Sequence, residues 1–479
     1  MARFVGFVGP AYTLRSVNVD CQRLVNLYPE SNELGTGKNQ EIAALVGTPG
    51  LVRLSTMGTG PVRGLYQSSK SRTFAVSGTG FYEVTTPTAP SLLGTLTTGA
   101  GRVSMTDNGV DLVLVDGAKG YRFTFSTNTF QEITDPDFPA GASISQFFDQ
   151  YIIVNDPDSQ KFWFSALSDA SSWDALDFQQ AEGSPDNVIA LLVDHRELIL
   201  AGEWSTEVFF NSGDPLTPFT RIQGAFVEEG LAARDTLCAM DNTIFGLSKN
   251  KNGQGFVRRT TGYQAQRIST HAIELALASY GDLSGATAYT YQEKGHSFYV
   301  LNVPGAKTTW VFDAATNLWH ERQSVNSSGQ LDRHRGEVHC FSGGLHLVGD
   351  YENGNLYKFD DNTYTDDGQP ITALRRAPHI SNNGKRVSHP IFQLDMETGV
   401  GLASGQGSDP KAMLRWSNDG AKTWSNEHWT GIGKQGEYKA RAIWRRLGEA
   451  RDRVYEVSIT DPVKRIFISA FIEPESAAH

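Results

Sequence analysis

Cysteine is nearly absent from the chain. Cys21, Cys238 and Cys340 are odd in number and far apart, so no disulfide framework is expected, and synthesis in a reducing cytosol fits. No run of about 18 apolar residues occurs, so nothing is expected to span a membrane. The opening MARFVGFVGPAYTLRS lacks the long apolar core of a signal peptide. Positive charge is in deficit: 42 Lys and Arg against 53 Asp and Glu give a net charge of −11. Non-specific DNA affinity is therefore not expected of the chain as a whole. There is no phosphate-cradling GxxxxGK(S/T) and no GxSxG nucleophile elbow. The 11 histidines are scattered. His334 and His339 lie near Cys340 and His346, but the CxxC or HxxH spacing of a zinc site is missing. His346 falls in an apolar run and reads as a core residue.

What the chain has instead is glycine, 48 residues of it, and 11% aromatics. Residues 101–125, GRVSMTDNGVDLVLVDGAKGYRFTF, show how they are used. Leu112-Val113-Leu114-Val115 is a short apolar run, as in a buried strand. Asp116 to Gly120 is a turn. Tyr121, Phe123 and Phe125 then alternate with Arg122 and Thr124, the period of a half-buried strand. The same hairpin recurs from Phe74, Tyr151, Leu198, Ile244, Phe298 and Leu345. That makes about seven units at spacings of roughly 40–55 residues, near the propeller range. Each unit has one strand too apolar to be exposed, so the units must stack, and a ring leaves only short protected edges. The expected fold is all-β: a β-propeller of about seven blades, or six, with an N-terminal arm and a C-terminal β-sandwich-like domain.

Residues 1–50 carry little periodicity and read as an extended arm on the body or on a neighbouring subunit. Leu51-Val52-Arg53-Leu54 is a strand that could complete the last blade. Residues 51–375 hold the propeller. Within it, the Ala- and Leu-rich stretch 269–280 predicts a helix of two to three turns, with Ser269 or Thr270 as its N-cap. An insertion of this kind often lies on a binding face. Breakers at Pro378 and Asn382-Asn383-Gly384 mark a boundary, and residues 376–479 read as the separate sandwich. Basic residues gather there: Lys439, Arg441, Arg445, Arg446, Arg451 and Arg453. They are the candidate interface for an acidic partner or a neighbouring subunit; the bland reading is a solvated strand face.

Three motifs invite chemistry. Ser417 to Trp424, SNDGAKTW, resembles the Asp-box turn of sialidases, with Ala421 in place of the usual glycine. It is read as structural, its Asp capping backbone N–H groups. A sialidase needs an arginine cluster, a tyrosine nucleophile and a paired acid. Arg63, Arg102 and Arg234 are candidates, but no spacing singles out a triad. The Asp-rich run 360–368 has the composition of a calcium loop and fails the EF-hand template at Tyr364 and Thr365. No catalytic, cofactor or metal residues are assigned.

Several stretches together carry a family likeness: Val25-Asn26-Leu27, Thr48-Pro49-Gly50-Leu51, Gly64-Leu65-Tyr66 and Gly101-Arg102-Val103-Ser104-Met105. Further on come Ser184 to Ile189, Ile268 to Glu274 and Trp444-Arg445-Arg446-Leu447-Gly448. In this order the chain resembles the packaged-DNA stabilisation proteins of short-tailed phages, the head-completion or tail-hub proteins. The resemblance implies a structural virion part at the portal vertex, made in the host bacterial cytoplasm. It implies a ring, expected to be a homo-hexamer, below the portal and its adaptor. Such a ring plugs the channel after packaging and is a platform for tailspikes or tail fibres and a tail needle. Packaged dsDNA would pass nearby without specific binding, with no cofactor and no membrane. The alternative is a propeller-type carbohydrate-active enzyme or lectin, on the Asp-box-like turn. A propeller scaffold of cellular origin comes third.

Overall fold

The computed structural model describes residues 1–32, 42–473 and 475–476. Each hairpin read from the sequence is the middle pair of strands of one four-stranded antiparallel blade. Blades 1 to 5 occupy residues 62–95, 104–132, 145–180, 188–227 and 238–267, and blade 6 occupies 287–325. Blade 7 combines 336–360 with Gly50–Thr56. The first strands of successive blades line the axis, and that of blade 7 returns to that of blade 1. Between blades 4 and 5 the short 3-10 turn Arg234–Thr236 fills the gap.

Burial explains why the middle strands were visible in sequence. Asp111–Val115, Thr73–Ser77, His296–Asn302 and Thr309–Asp313 are buried throughout, because a neighbouring blade covers each face. Outer strands such as Thr129–Glu132 are mostly exposed and carry no apolar signature.

The ring is closed by Gly50–Thr56, which pairs antiparallel with Asn355–Asp360 and sets Leu51 opposite Phe359. A Cβ at Gly50 would lie 2.3 Å from the Thr363 carbonyl oxygen, so only glycine lets the chain pass there.

Residues 1–32 and 42–50 are largely extended and lie on the body; the rest of the arm expected over 1–50 falls outside the described residues. Ala2–Arg3, Leu27–Ser31 and Ile42–Gly47 join Ile391–Met396, Ala442–Arg445 and Ile466–Ile472 in one sheet of the sandwich. Tyr12–Thr13 and Cys21–Val25 join Ala373–Arg376, Lys411–Ser417, His428–Gly431 and Asp452–Ile459 in the other. Phe7, Phe392, Leu394, Leu414, Tyr455 and Phe467 fill the space between the sheets.

Cys21–Val25 also meets blade 6 through a parallel bridge from Val25 to Glu321, so propeller and sandwich share a continuous sheet. Asn26 stands at that joint, buried and with φ 54°. Its side-chain amide donates to the Gln323 and Thr372 carbonyls at 2.9 and 3.0 Å, and its Oδ1 accepts from the Gln323 N–H at 3.0 Å. Arg23 adds a forked ion pair to Glu321.

The predicted helix is present as His271–Tyr280, its N-terminus capped by Thr270. It packs on blade 5 and on Tyr12–Thr13, with Ile273 and Leu277 fully buried in the core shared with the sandwich. It therefore wedges the two domains together.

Candidate functional site

Two surfaces qualify as sites. The first is the mouth of the central channel, on the side where the innermost strands begin. A cavity of about 360 Å³ opens there, walled by the chain just before or at the first strands of blades 1, 2, 5, 6 and 7. The three arginines named as candidates in the sequence, Arg63, Arg102 and Arg234, all line it, although no spacing marks them as a set. The connection from blade 6 to blade 7 adds Arg333, and blade 7 adds Glu337 and Tyr351; the sequence did not point to them because nothing in their spacing marks them.

Their surroundings differ. Arg63 is buried, not solvated as an arginine beside a strand is expected to be. Its five N–H donors go to Gly101 O at 2.6 Å, Gly78 O at 2.8 Å, Thr98 O and Oγ1 at 2.7 Å each, and Ala100 O at 2.6 Å. It staples blade 1 to the connection leading into blade 2, and burial lowers its pKa. Arg102 donates through Nη1 to the Glu337 carbonyl at 3.1 Å. Arg234 forks onto Asp235, both bonds 3.0 Å. Arg333 donates to Glu337 Oε2 at 2.6 Å and lies 3.7 Å from the centre of the Tyr351 ring. Glu337 Oε1 accepts from the Thr287 hydroxyl at 2.8 Å.

Each carboxylate at the mouth thus already holds an arginine. Burial, reinforced by Glu352, pushes the Tyr351 hydroxyl up to about 12, the reverse of what activates a phenol as a nucleophile.

The second surface is the outer edge of the sandwich. Lys439, Arg441, Arg445, Arg446 and Arg451 are exposed there. Arg445 ends the strand Ala442–Arg445, which among the described residues pairs with Ile391–Met396 alone. Arg441 reaches Gln393 Oε1 at 2.9 Å and Arg451 the Gly384 carbonyl at 2.9 Å. Trp429 and Tyr438, nearby in sequence, are exposed aromatics.

Arg453 does not belong with this group. It lies on the inward face of Asp452–Ile459, 1% exposed. It donates to Asn418 Oδ1 at 3.0 Å and to the Leu447 carbonyl at 2.7 Å, over the rings of Trp416 and Tyr455. A period-2 strand turns alternate residues inward, and a linear run of basic residues hides that.

The remaining motifs are accounted for locally. Asp419 accepts from Lys422 N at 3.0 Å, Thr423 N at 2.9 Å and Thr423 Oγ1 at 2.6 Å. These bonds hold its carboxyl far below the usual range. Ala421 takes the left-handed φ, 65°, that glycine usually supplies in this turn. Trp424 is flanked by the guanidinium groups of Arg376 and Arg415, each 4.8 Å from its ring and both paired with Glu456.

In the Asp-rich run the carboxylates diverge. Asp360 binds its own turn, Asp361 pairs with Lys294, Asp367 with Arg53, and Asp366 is buried against Ser324. His339 and His346 hydrogen-bond to each other at 3.0 Å at the other end of the channel, among Tyr291 and Phe341. Among the described residues no group of His, Cys, Asp or Glu is placed to hold a metal ion. Nor is any helix there long and apolar enough to cross a membrane.

The described residues form a seven-bladed propeller joined to a β-sandwich, the two-domain architecture of a class of phage structural proteins. The chain belongs to the bacteriophage P22 Gp10 family, the phage DNA-stabilisation or tail-hub proteins. The family's β-propeller model matches residues 18–364 and its β-sandwich model residues 373–475. It is thus a phage virion structural protein. Among curated proteins none matches its sequence. Of solved structures, the extracellular domain of the one component system BT4673 from B. thetaiotaomicron is similar at 10% identity and TM-score 0.43. That match covers 88% of this chain and 58% of the other, so the chain spans under two thirds of that structure. A mitotic checkpoint complex chain is similar at 12% identity and TM-score 0.42, over 70% of this chain and 97% of that one.

Proposed function

We propose that this chain is the head-completion or tail-hub component of a short-tailed phage. Made in the host cytoplasm, it assembles as a ring, expected to be six copies, beneath the portal and its adaptor. There it plugs the channel, retains the packaged genome and presents docking faces for tailspikes or fibres and a tail needle. The observation that carries this reading is the match of both family models, end to end, to a propeller welded onto its sandwich. A ring in cyclic symmetry uses unlike faces of each subunit. The exposed basic edge supplies one: Lys439, Arg441, Arg445, Arg446 and Arg451 on a body of net charge −11. Its counterpart is an acidic surface of a neighbouring copy or of the adaptor. The overall negative charge also keeps the protein from adhering to DNA that passes it.

The test is Arg445→Glu with Arg446→Glu. The double variant should keep its melting temperature but lose ring formation or adaptor binding, read by light scattering and electron microscopy. Assembly equal to that of the parent would count against the basic edge. Turnover of sialosides or other glycans would favour the carbohydrate-active alternative.

A further inference from the structure

The channel mouth holds more positive charge than the fold uses. Four guanidinium groups face one cavity against two carboxylates, Asp235 and Glu337, in a chain whose net charge is −11. Arg63 is saturated by backbone and threonine oxygens, so it forms wall. The other three are not saturated. Arg102 commits only Nη1, to a carbonyl. Arg234 commits Nε and Nη2 to Asp235 and leaves Nη1. Arg333 commits Nη1 to Glu337, and its stacking on Tyr351 fixes the plane of the rest. All three are partly buried, with 32% of the Arg234 side chain and 17% of the Arg333 side chain exposed. Guanidinium donors held in a concave, partly desolvated site favour a planar or tetrahedral oxyanion, which they can bind through forked contacts.

We propose that the channel mouth is a binding site for a small ligand carrying a carboxylate or phosphate group, with Arg102, Arg234 and Arg333 as its donors. The cavity volume, about 360 Å³, sets the size at roughly one sugar ring or a free oxyanion. Its three donors lie in the segments leading into blades 2, 5 and 7, so the site exists only when the propeller of a single copy is closed. It does not depend on the basic edge of the sandwich or on association of several copies.

The test is isothermal titration of the full chain with glucuronate and with inorganic phosphate at constant ionic strength, with glucose as the neutral control. Saturable binding of either anion, with none of glucose, is expected, and the better of the two identifies the group. Arg102→Gln and Arg234→Gln should each weaken it at least tenfold, Arg102→Lys less, and Arg15→Gln, on the exposed N-terminal segment, not at all. Circular dichroism and melting curves check that each variant is folded. Two independent positions keep the test decisive if one variant fails to fold. No saturable binding of either anion, or equal affinity in the parent and the folded glutamine variants, would overturn the proposal.

Discussion

At the scale of single residues, several buried arginines join distant segments through carbonyl and hydroxyl oxygens rather than a carboxylate. Arg375 is fully buried and donates to the carbonyls of Gly6, Phe7 and Pro10, holding the N-terminal segment to the sandwich. Burial lowers its pKa to about 9. Arg258 ties blade 5 to blade 4 through Thr206 Oγ1 and the Glu229 carbonyl, and burial lowers its pKa to about 10. Burying a cation is costly unless its donors are filled. Arg453→Met should therefore leave Asn418 and the Leu447 carbonyl without their partner and lower stability by about 2–3 kcal/mol. Urea unfolding measures it. A loss under about 0.5 kcal/mol would mean that water replaces the guanidinium.

At the scale of elements, the strand Gly50–Thr56 decides whether the ring is a ring. Without it blade 7 keeps three strands and exposes the edge of Asn355–Asp360, and an unpaired edge invites association. Gly50→Val sets a branched side chain where even a Cβ meets Thr363 at 2.3 Å. The variant should melt well below the parent and aggregate on heating; an unchanged melting curve would show that the loop 361–365 can yield. Here the sequence was a good guide, since Leu51 to Leu54 reads as a strand and its place in the last blade follows from the repeat. It was a poorer guide to residues 1–50. Their strands are short, and Cys21–Val25 takes its partners from residues 318–325, 373–376 and 12–13. Pairing across such separations leaves no local pattern.

At the scale of the whole molecule, buried histidines set the response to pH. Burial, helped by nearby arginines, lowers His334 to about 3 and His389 to about 4, and drives His320 well below its ordinary value. Burial and the neighbouring His346 lower His339 to about 3. Each is neutral when folded and protonated when unfolded below about 6.5. Stability is therefore fully present above that value and falls as pH drops toward the depressed one, by about 1.4 kcal/mol per unit per histidine. Asp366 runs the other way. Burial raises it to about 6, so its contribution is present at low pH and lost as pH rises through 6. Four histidines outweigh one aspartate. The calorimetric melting temperature should fall from pH 6.5 to 4.5 at fixed ionic strength, and a flat or rising profile would falsify the assignment of these histidines as buried and neutral.

The sequence by itself determined the class: a ring of stacked hairpins, its repeat unit, its closing strand, its helix and its family. Those features are local, because a strand covered on both faces must be apolar along its length. Tertiary structure alone decided which charges remain outside. It drew Arg63, Arg375 and Arg453 into the interior, left Arg445 and Arg446 on an edge, and brought Arg102, Arg234 and Arg333 to one mouth. Those outcomes depend on how blades and sheets face one another in space, and a one-dimensional spacing of arginines does not encode that.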